Sequence, residues 1–239
     1  MLAFFQQRGT EHTELHGELF SSGRKLKFGV MYLVKTPWWL RSLYPTLVWR
    51  MSGEEKCIYL TFDDGPHPEA TPFVLEQLAK YNAKATFFCI GKNVATHPEI
   101  YQELLQNGHS VANHTYNHVN GWKVNDDVYL ADINQTRTLV DSNLFRPPYG
   151  RIKRSQIKRL RSANPQMQTI MWSVLSADFD TSLTGEQCLH NILRHTRPGS
   201  IILFHDSQKA WPRMSYALPR VLEYFGERGF EFGRIAVSS

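Results

Sequence analysis

From residue 57 onward this chain alternates short apolar runs with segments of helical spacing, and that rhythm constrains its fold more than any other feature. The runs at 57–62, 85–90, 110–113, 144–146, 169–175, 200–204 and 230–235 read as strands. Between them, 71–81 places Val74, Leu75, Leu78 and Tyr81 on one helical face. A second helix runs through Ile100, Leu104 and Leu105 to Gly108, and a third spans 126–140 through Val128, Ile133 and Leu139. Further helices are expected at 155–163, 184–195 and 214–228. Strands that are apolar on both faces, each followed by a helix, call for a parallel sheet covered by helices. Seven strands on one rhythm predict an α/β fold, a closed or nearly closed (β/α) barrel with its chemistry at the C-terminal strand ends.

A chain of 239 residues is long enough for one large domain of this kind. Lys plus Arg number 27 against 22 Asp plus Glu, a net charge of +5 that suits an anionic partner but does not argue for nucleic acid. Cys57, Cys89 and Cys188 are too few for a disulfide framework and read as small buried hydrophobes. No apolar run approaches the roughly 20 residues of a membrane helix. Leu2-Ala3-Phe4-Phe5 is too short for a signal-peptide core, so a cytoplasmic location is the default expectation. Residues 1–30 read as a poorly ordered leader, with Met31 as an alternative start. Residues 31–56 read as a helical segment that packs on the barrel, with Thr36 as N-cap and Pro37 at the first helical position. Peripheral membrane contact is not expected of it. Residues 57–239 form the expected catalytic domain.

Four polar clusters follow four of the strands. Asp63-Asp64-Gly65-Pro66 puts adjacent carboxylates after an apolar strand, an arrangement that is costly unless they bind something. His114 and His118 stand four apart, a spacing that lets two imidazoles share one face of a helical turn and grip one metal. Arg146 suits a carboxylate partner, and Pro147-Pro148 fix the backbone that follows. His205 can exchange a proton near neutral pH. Together these describe a His-His-Asp metal site with an open position, for which zinc is the default ion in hydrolysis. Arg151, Lys153, Arg154, Lys158, Arg159 and Arg161 form a basic stretch that reads as a solvated helix face.

Thr61-Phe62-Asp63-Asp64-Gly65-Pro66, His114-Thr115-Tyr116-Asn117-His118, Arg146-Pro147-Pro148-Tyr149-Gly150 and Leu203-Phe204-His205 resemble, in order, the motifs of the polysaccharide deacetylases, carbohydrate esterase family 4. The resemblance spans roughly 57–235. It implies a distorted seven-stranded (β/α) barrel and a metal-dependent hydrolase that removes N-acetyl groups from N-acetylglucosamine-containing glycans or acetylated sugars, releasing acetate. It implies Asp63 as general base, Arg146 as its orienting partner and His205 as general acid. Asp64, His114 and His118 become ligands of one divalent ion, Zn2+ first and Co2+ next. The Tyr149 N–H is expected to face the oxyanion and Leu203 the acetyl methyl; Pro148 and Trp172 complete the substrate-contacting set. The expected partner is an N-acetylated sugar or glycan.

One segment departs from the pattern. Where the family has Asp-x-x-Asp-Trp, this chain has Leu175-Ser176-Ala177-Asp178-Phe179. A leucine in the first position cannot hold His205 cationic, so the alkaline limb of activity is expected at lower pH than in relatives, unless Asp178 or Asp206 compensates. The same departure widens the range of plausible substrates, and two other readings stand beside the deacetylase. One is an amide hydrolase of this fold acting on a ureide or imide, and the other is a non-catalytic glycan-binding domain.

Overall fold

The computed structural model describes residues 32–52 and 55–236. The leader expected at 1–30 lies outside the described residues. The elements in chain order begin with helix α1 (Trp38–Leu43), strand β1 (Cys57–Asp63), α2 (Ala70–Lys80), β2 (Ala85–Cys89), α3 (Gly91–Thr96), α4 (Pro98–Gln106) and β3 (Ser110–Asn113). Then come α5 (Asp126–Arg137), β4 (Leu144–Phe145), a 3-10 turn (Pro148–Gly150), α6 (Arg154–Ala163), β5 (Gln168–Thr169) and β6 (Val174–Leu175). The last elements are α7 (Gly185–His195), β7 (Ile201–His205), α8 (Trp211–Gly226) and β8 (Glu231–Phe232).

The strands pair in the order β5-β4-β3-β2-β1-β7-β6, and β8 pairs with the start of β1. Every pairing between named strands is parallel. The two ends of that order belong to one extended segment, 168–175, and this curls the sheet into a barrel. The Ile170 N–H donates to the Phe145 carbonyl (2.8 Å), while the Ser173 N–H donates to the Ile201 carbonyl (3.0 Å). The single strand expected at 169–175 is therefore split. Between its halves the backbone bonds to the N-terminal segment: Met171 N–H to Val48 (2.7 Å), Val48 N–H to Thr169 (2.9 Å), and Thr36 N–H to Ser173 (3.1 Å).

The apolar runs hide a period of two. Ile58, Leu60, Phe62, Phe87, Ile202 and Phe204 pack outward against α2 and α8 in the main core. Phe88, Ala112, Leu144, Ile170 and Ile201 form a separate cluster on the opposite faces, filling the barrel. Asp63, Arg146 and His205 continue the inward series at the strand ends, because one face of each strand is already committed to the helices.

Three local expectations change. Thr36 is not the cap of α1; Pro37 takes that place, and the Thr36 hydroxyl donates to the Trp172 carbonyl (2.7 Å). Val128 in α5 and Leu139 just beyond its end are exposed, and the buried stripe is Tyr129, Asp132, Ile133 and Thr136. Apolarity alone selected the wrong face because half of the true one is polar and hydrogen-bonded. The helix expected through Ile100 is α4, but a short helix that was not expected, α3, precedes it, the two divided at His97 before Pro98. Cys89 and Cys188 are buried and Cys57 half-buried, all as free thiols.

Candidate active site

The site is built where inward strand positions run out into loops. Asp63 is the last residue of β1 and is buried. Asp64 follows in the left-handed backbone region (φ 81°), where a non-glycine residue persists only if its surroundings hold it. They do: the Asn93 amide donates to the Asp64 carbonyl (2.7 Å), and the Ile90 N–H donates to the Gly65 carbonyl (3.0 Å). The Gly65 N–H donates to Asp206 Oδ1 (3.0 Å), so the carboxylate of Asp206 lies directly beneath this bend. Burial pushes Asp206 up to about 8 against the hydrogen bond from Thr71.

His114 and His118 are not on a helix. They lie in a loop after β3 whose backbone turns through left-handed residues at Thr115 (φ 63°) and His118 (φ 55°). Their shared direction comes from this bend, which is clamped from α5. Asp132 accepts from the N–H groups of Tyr116 (2.8 Å) and Asn117 (2.9 Å) and from the Asn117 side chain (2.7 Å). The Nδ1–H of His114 donates to the Arg146 carbonyl (2.8 Å), which leaves Nε2 as the free lone pair. Burial, reinforced by His118, holds His114 down at about 3, in the neutral form a metal requires.

Asp64 Oδ1 lies 3.2 Å from His118 Nε2 and 3.8 Å from His114 Nε2. One ligand atom from each of the three residues falls within a mutual 4.8 Å. Ligands about 2 Å from a tetrahedral zinc stand about 3.3 Å apart. Asp64 Oδ1 is also buried without a hydrogen-bond donor, an arrangement that is costly unless a cation supplies the missing partner. The donor set and its spacing fit one divalent ion.

Arg146 is fully buried and all its nitrogens are engaged. Nη1 donates to Asp63 Oδ1 (2.7 Å) and Thr61 Oγ1 (2.8 Å), Nε to the Ile170 carbonyl (3.1 Å), and Nη2 to the Met171 carbonyl (2.9 Å). The guanidinium lies 3.9 Å over the Phe88 ring. No carboxylate at position 175 is needed to hold it. The ion pair occupies Oδ1 of Asp63 and leaves Oδ2 facing the metal triad, 3.7 Å from His114 Nε2.

Of the two carboxylates that could compensate for Leu175, Asp178 is the one that reaches His205. Asp178 receives both the ring Nδ1–H (2.7 Å) and the backbone N–H (2.8 Å) of His205. Burial alone lowers His205; attraction and hydrogen bonding to Asp178, with help from Asp64 and Asp63, reverse this and raise it to about 9. Leu175 is buried in the barrel wall, in register with Leu203.

Tyr149 adopts φ 61° in the 3-10 turn, whose hydrogen bonds run from Gly150 N–H to Pro147 (3.0 Å) and from Arg151 N–H to Pro148 (3.1 Å). Its ring is exposed and packs 4.6 Å from that of His118. Trp172 stands against Gly150, where a Cβ would lie 2.7 Å from the indole, and Leu203 is buried beside Thr61 on β1. Sequence reading missed Asp132 and Asn93; Phe179, which stands at the family's Trp position, has its ring 5.4 Å from that of His205. A carboxylate within the buried stripe of α5 was the one signal available for Asp132.

Comparison with known proteins gives similar chains and similar folds. Residues 50–167 match the family model described as polysaccharide deacetylase. A peptidoglycan-N-acetylglucosamine deacetylase of Bacillus cereus is 33% identical over 200 residues, covering 80% of this chain and 93% of the relative. A chitooligosaccharide deacetylase of Azorhizobium caulinodans is 33% identical over 164 residues, covering 66% of this chain and 77% of the relative. Among solved structures, a peptidoglycan N-acetylglucosamine deacetylase bound to an N-oxidanyl-benzamide ligand superposes with a TM-score of 0.74 at 32% identity, covering 80% and 91% of the two chains. A CE4 family pseudoenzyme from Bacillus anthracis superposes with a TM-score of 0.70 at 27% identity, covering 82% of this chain and 69% of that one.

Proposed function

The chain belongs to the polysaccharide deacetylase family, and on that premise we propose that it hydrolyses the N-acetyl amide of N-acetylglucosamine residues in a glycan, releasing acetate and a free amine. One observation carries the reading: a three-residue metal triad, an arginine-held carboxylate and a carboxylate-backed histidine converge on the same strand ends. Because a pseudoenzyme shares the fold, the side chains and not the architecture support catalysis.

Asp64, His114 and His118 would hold one divalent ion, zinc by ligand type. When bound, such an ion lowers the pKa of water and polarises an acyl oxygen. Asp63, fixed through Oδ1 by Arg146, offers Oδ2 as the base that takes the proton of the attacking water. The Tyr149 N–H, set by its left-handed turn, donates to the acyl oxygen as negative charge develops there. His205, protonated and aimed by Asp178, delivers its proton to the sugar nitrogen, since an amide anion leaves only once protonated. Leu203 and Trp172 close the pocket around the acetyl methyl.

The test is acetate release from chitooligosaccharides and from peptidoglycan fragments by the zinc-loaded protein, with Asp63→Asn as control. The variant should keep its metal and lose at least about 10²-fold in rate. A metal-loaded wild type inactive on every N-acetylated glycan would overturn the substrate assignment, and an active Asp63→Asn would remove that residue from the mechanism.

A further inference from the structure

The outer wall of the barrel carries a second polar and apolar surface that the reaction does not use. A groove of about 520 Å³ runs between α6 and the turn after α1. Leu43, Tyr44 and Pro45 form one wall; Arg154, Lys158 and Arg161 rise from the other. These three cations stand at i, i+4 and i+7, so they make one stripe along α6. No residue lining the groove is acidic. Arg159, outside that stripe, is paired with Asp127, whereas no salt bridge among the described residues involves Lys158 or Arg161. Arg154 reaches across, its guanidinium 5.4 Å over the Tyr44 ring.

The apolar half continues onto α1, which buries none of its six residues. Trp38 is 72% exposed, Trp39 49% and Leu43 51%. Two tryptophans and a leucine left in water on one short helix, whose Leu43 also lines an acid-free groove with a row of cations, are an unusual combination. A soluble polyanion would satisfy only the cations, and a neutral glycan only the rings. A second copy of this chain docked face to face would set cation against cation. A bilayer interface with anionic headgroups satisfies both halves, because indole rings settle at headgroup depth and cations near the surface are drawn to the headgroups.

We infer that this face docks the protein on an anionic lipid surface, with Trp38, Trp39 and Leu43 entering the interface and Arg154, Lys158 and Arg161 meeting lipid phosphates. The reading of residues 31–56 as a segment without membrane contact rested on the expectation that its tryptophans pack on the barrel, and Trp38 and Trp39 do not bury themselves there.

The experiment uses the full chain with sedimented vesicles of phosphatidylcholine alone or mixed equally with phosphatidylglycerol. Binding should require the anionic lipid. Lys158→Gln with Arg161→Gln should weaken it about 30-fold, the equivalent of two cations at about 1 kcal/mol each. Trp38→Ser with Trp39→Ser should weaken it as well and abolish the blue shift of tryptophan emission on vesicle addition. Both double variants should melt as the wild type does and turn over a soluble chitooligosaccharide unchanged. A full chain that ignores anionic vesicles, or binding that survives the charge variant, overturns the inference. Binding that needs the cations but not the tryptophans, and is matched by soluble polyphosphate, overturns the lipid assignment in favour of a polyanion site.

Discussion

Asp178→Asn removes the charge behind His205 while leaving an acceptor for its ring N–H. In the wild type burial favours neutral His205, and Asp178 is the largest of the attractions that reverse this and lift it from 6.5 to about 9. A raised value means that the imidazolium persists as pH climbs past 6.5 and is lost only above about 9. A general acid works only while protonated, so the alkaline limb of the rate follows this loss. In the variant the burial remains and the main attraction is gone, so the limb falls to the ordinary value or below. At pH 8 a group of pKa about 9 is about 90% protonated and one of about 6.5 is about 3% protonated. The variant should therefore lose about 30-fold there and less than about 2-fold near pH 6. A divalent ion on Asp64 offsets that residue's share of the attraction, which lowers both limbs and preserves their separation. The same shift is linked to stability: its contribution is whole below pH 6.5 and disappears as pH rises through about 9, so the melting deficit of the variant should shrink at high pH. The assay is kcat/KM for acetate release from pH 5 to 10 at saturating zinc, with metal content measured in each protein. An alkaline limb that stays in place in a folded, metal-loaded variant would refute the pairing.

Four further outcomes follow from the same geometry. His114→Ala should lose bound metal and activity together by elemental analysis and acetate release; full metal content would disprove the ligand set. Asp132→Ala cuts three hydrogen bonds to the loop that carries both histidines, and should weaken metal affinity about 10- to 100-fold in a chelator competition. Gly65→Ala would drive a Cβ into the Asp206 carboxylate, and should lower the melting temperature by several degrees, the scale of an overpacked core. Leu175→Asp should leave the alkaline limb unmoved because Asp178 already occupies the ring nitrogen, and should melt lower because it buries a carboxylate in the barrel wall.

Much of this protein is legible along the chain because strand, turn and helix signals are local. The apolar runs located six strands, the helix expected at 184–195 is α7 with Thr184 as its N-cap, and the polar clusters fell at strand ends. The motifs carrying Asp63, Asp64, His114, His118, Arg146 and His205 named the residues that the fold brings together. What failed depended on partners distant in sequence. The i,i+4 rule picked two histidines that the fold does bring together, but for the wrong reason, since a loop bent through left-handed residues and clamped by Asp132 sets their direction. The segment 169–175 reads as one strand, and only closure of the barrel shows that it serves two edges and yields its middle to Val48.

The sequence by itself determined the α/β class, the order of the elements and which side chains meet at the strand ends, because each depends on periodicity or on residues a few positions apart. The tertiary structure alone decided what holds them. Leu175 looked like a missing partner until backbone carbonyls of Ile170 and Met171 proved to hold Arg146, and Asp178 to hold His205. The exposure of Trp38 and Trp39 likewise follows from what lies opposite them in space. A hydrogen-bond acceptor 24 residues away, or the absence of a packing neighbour, leaves no mark in the local pattern of a chain.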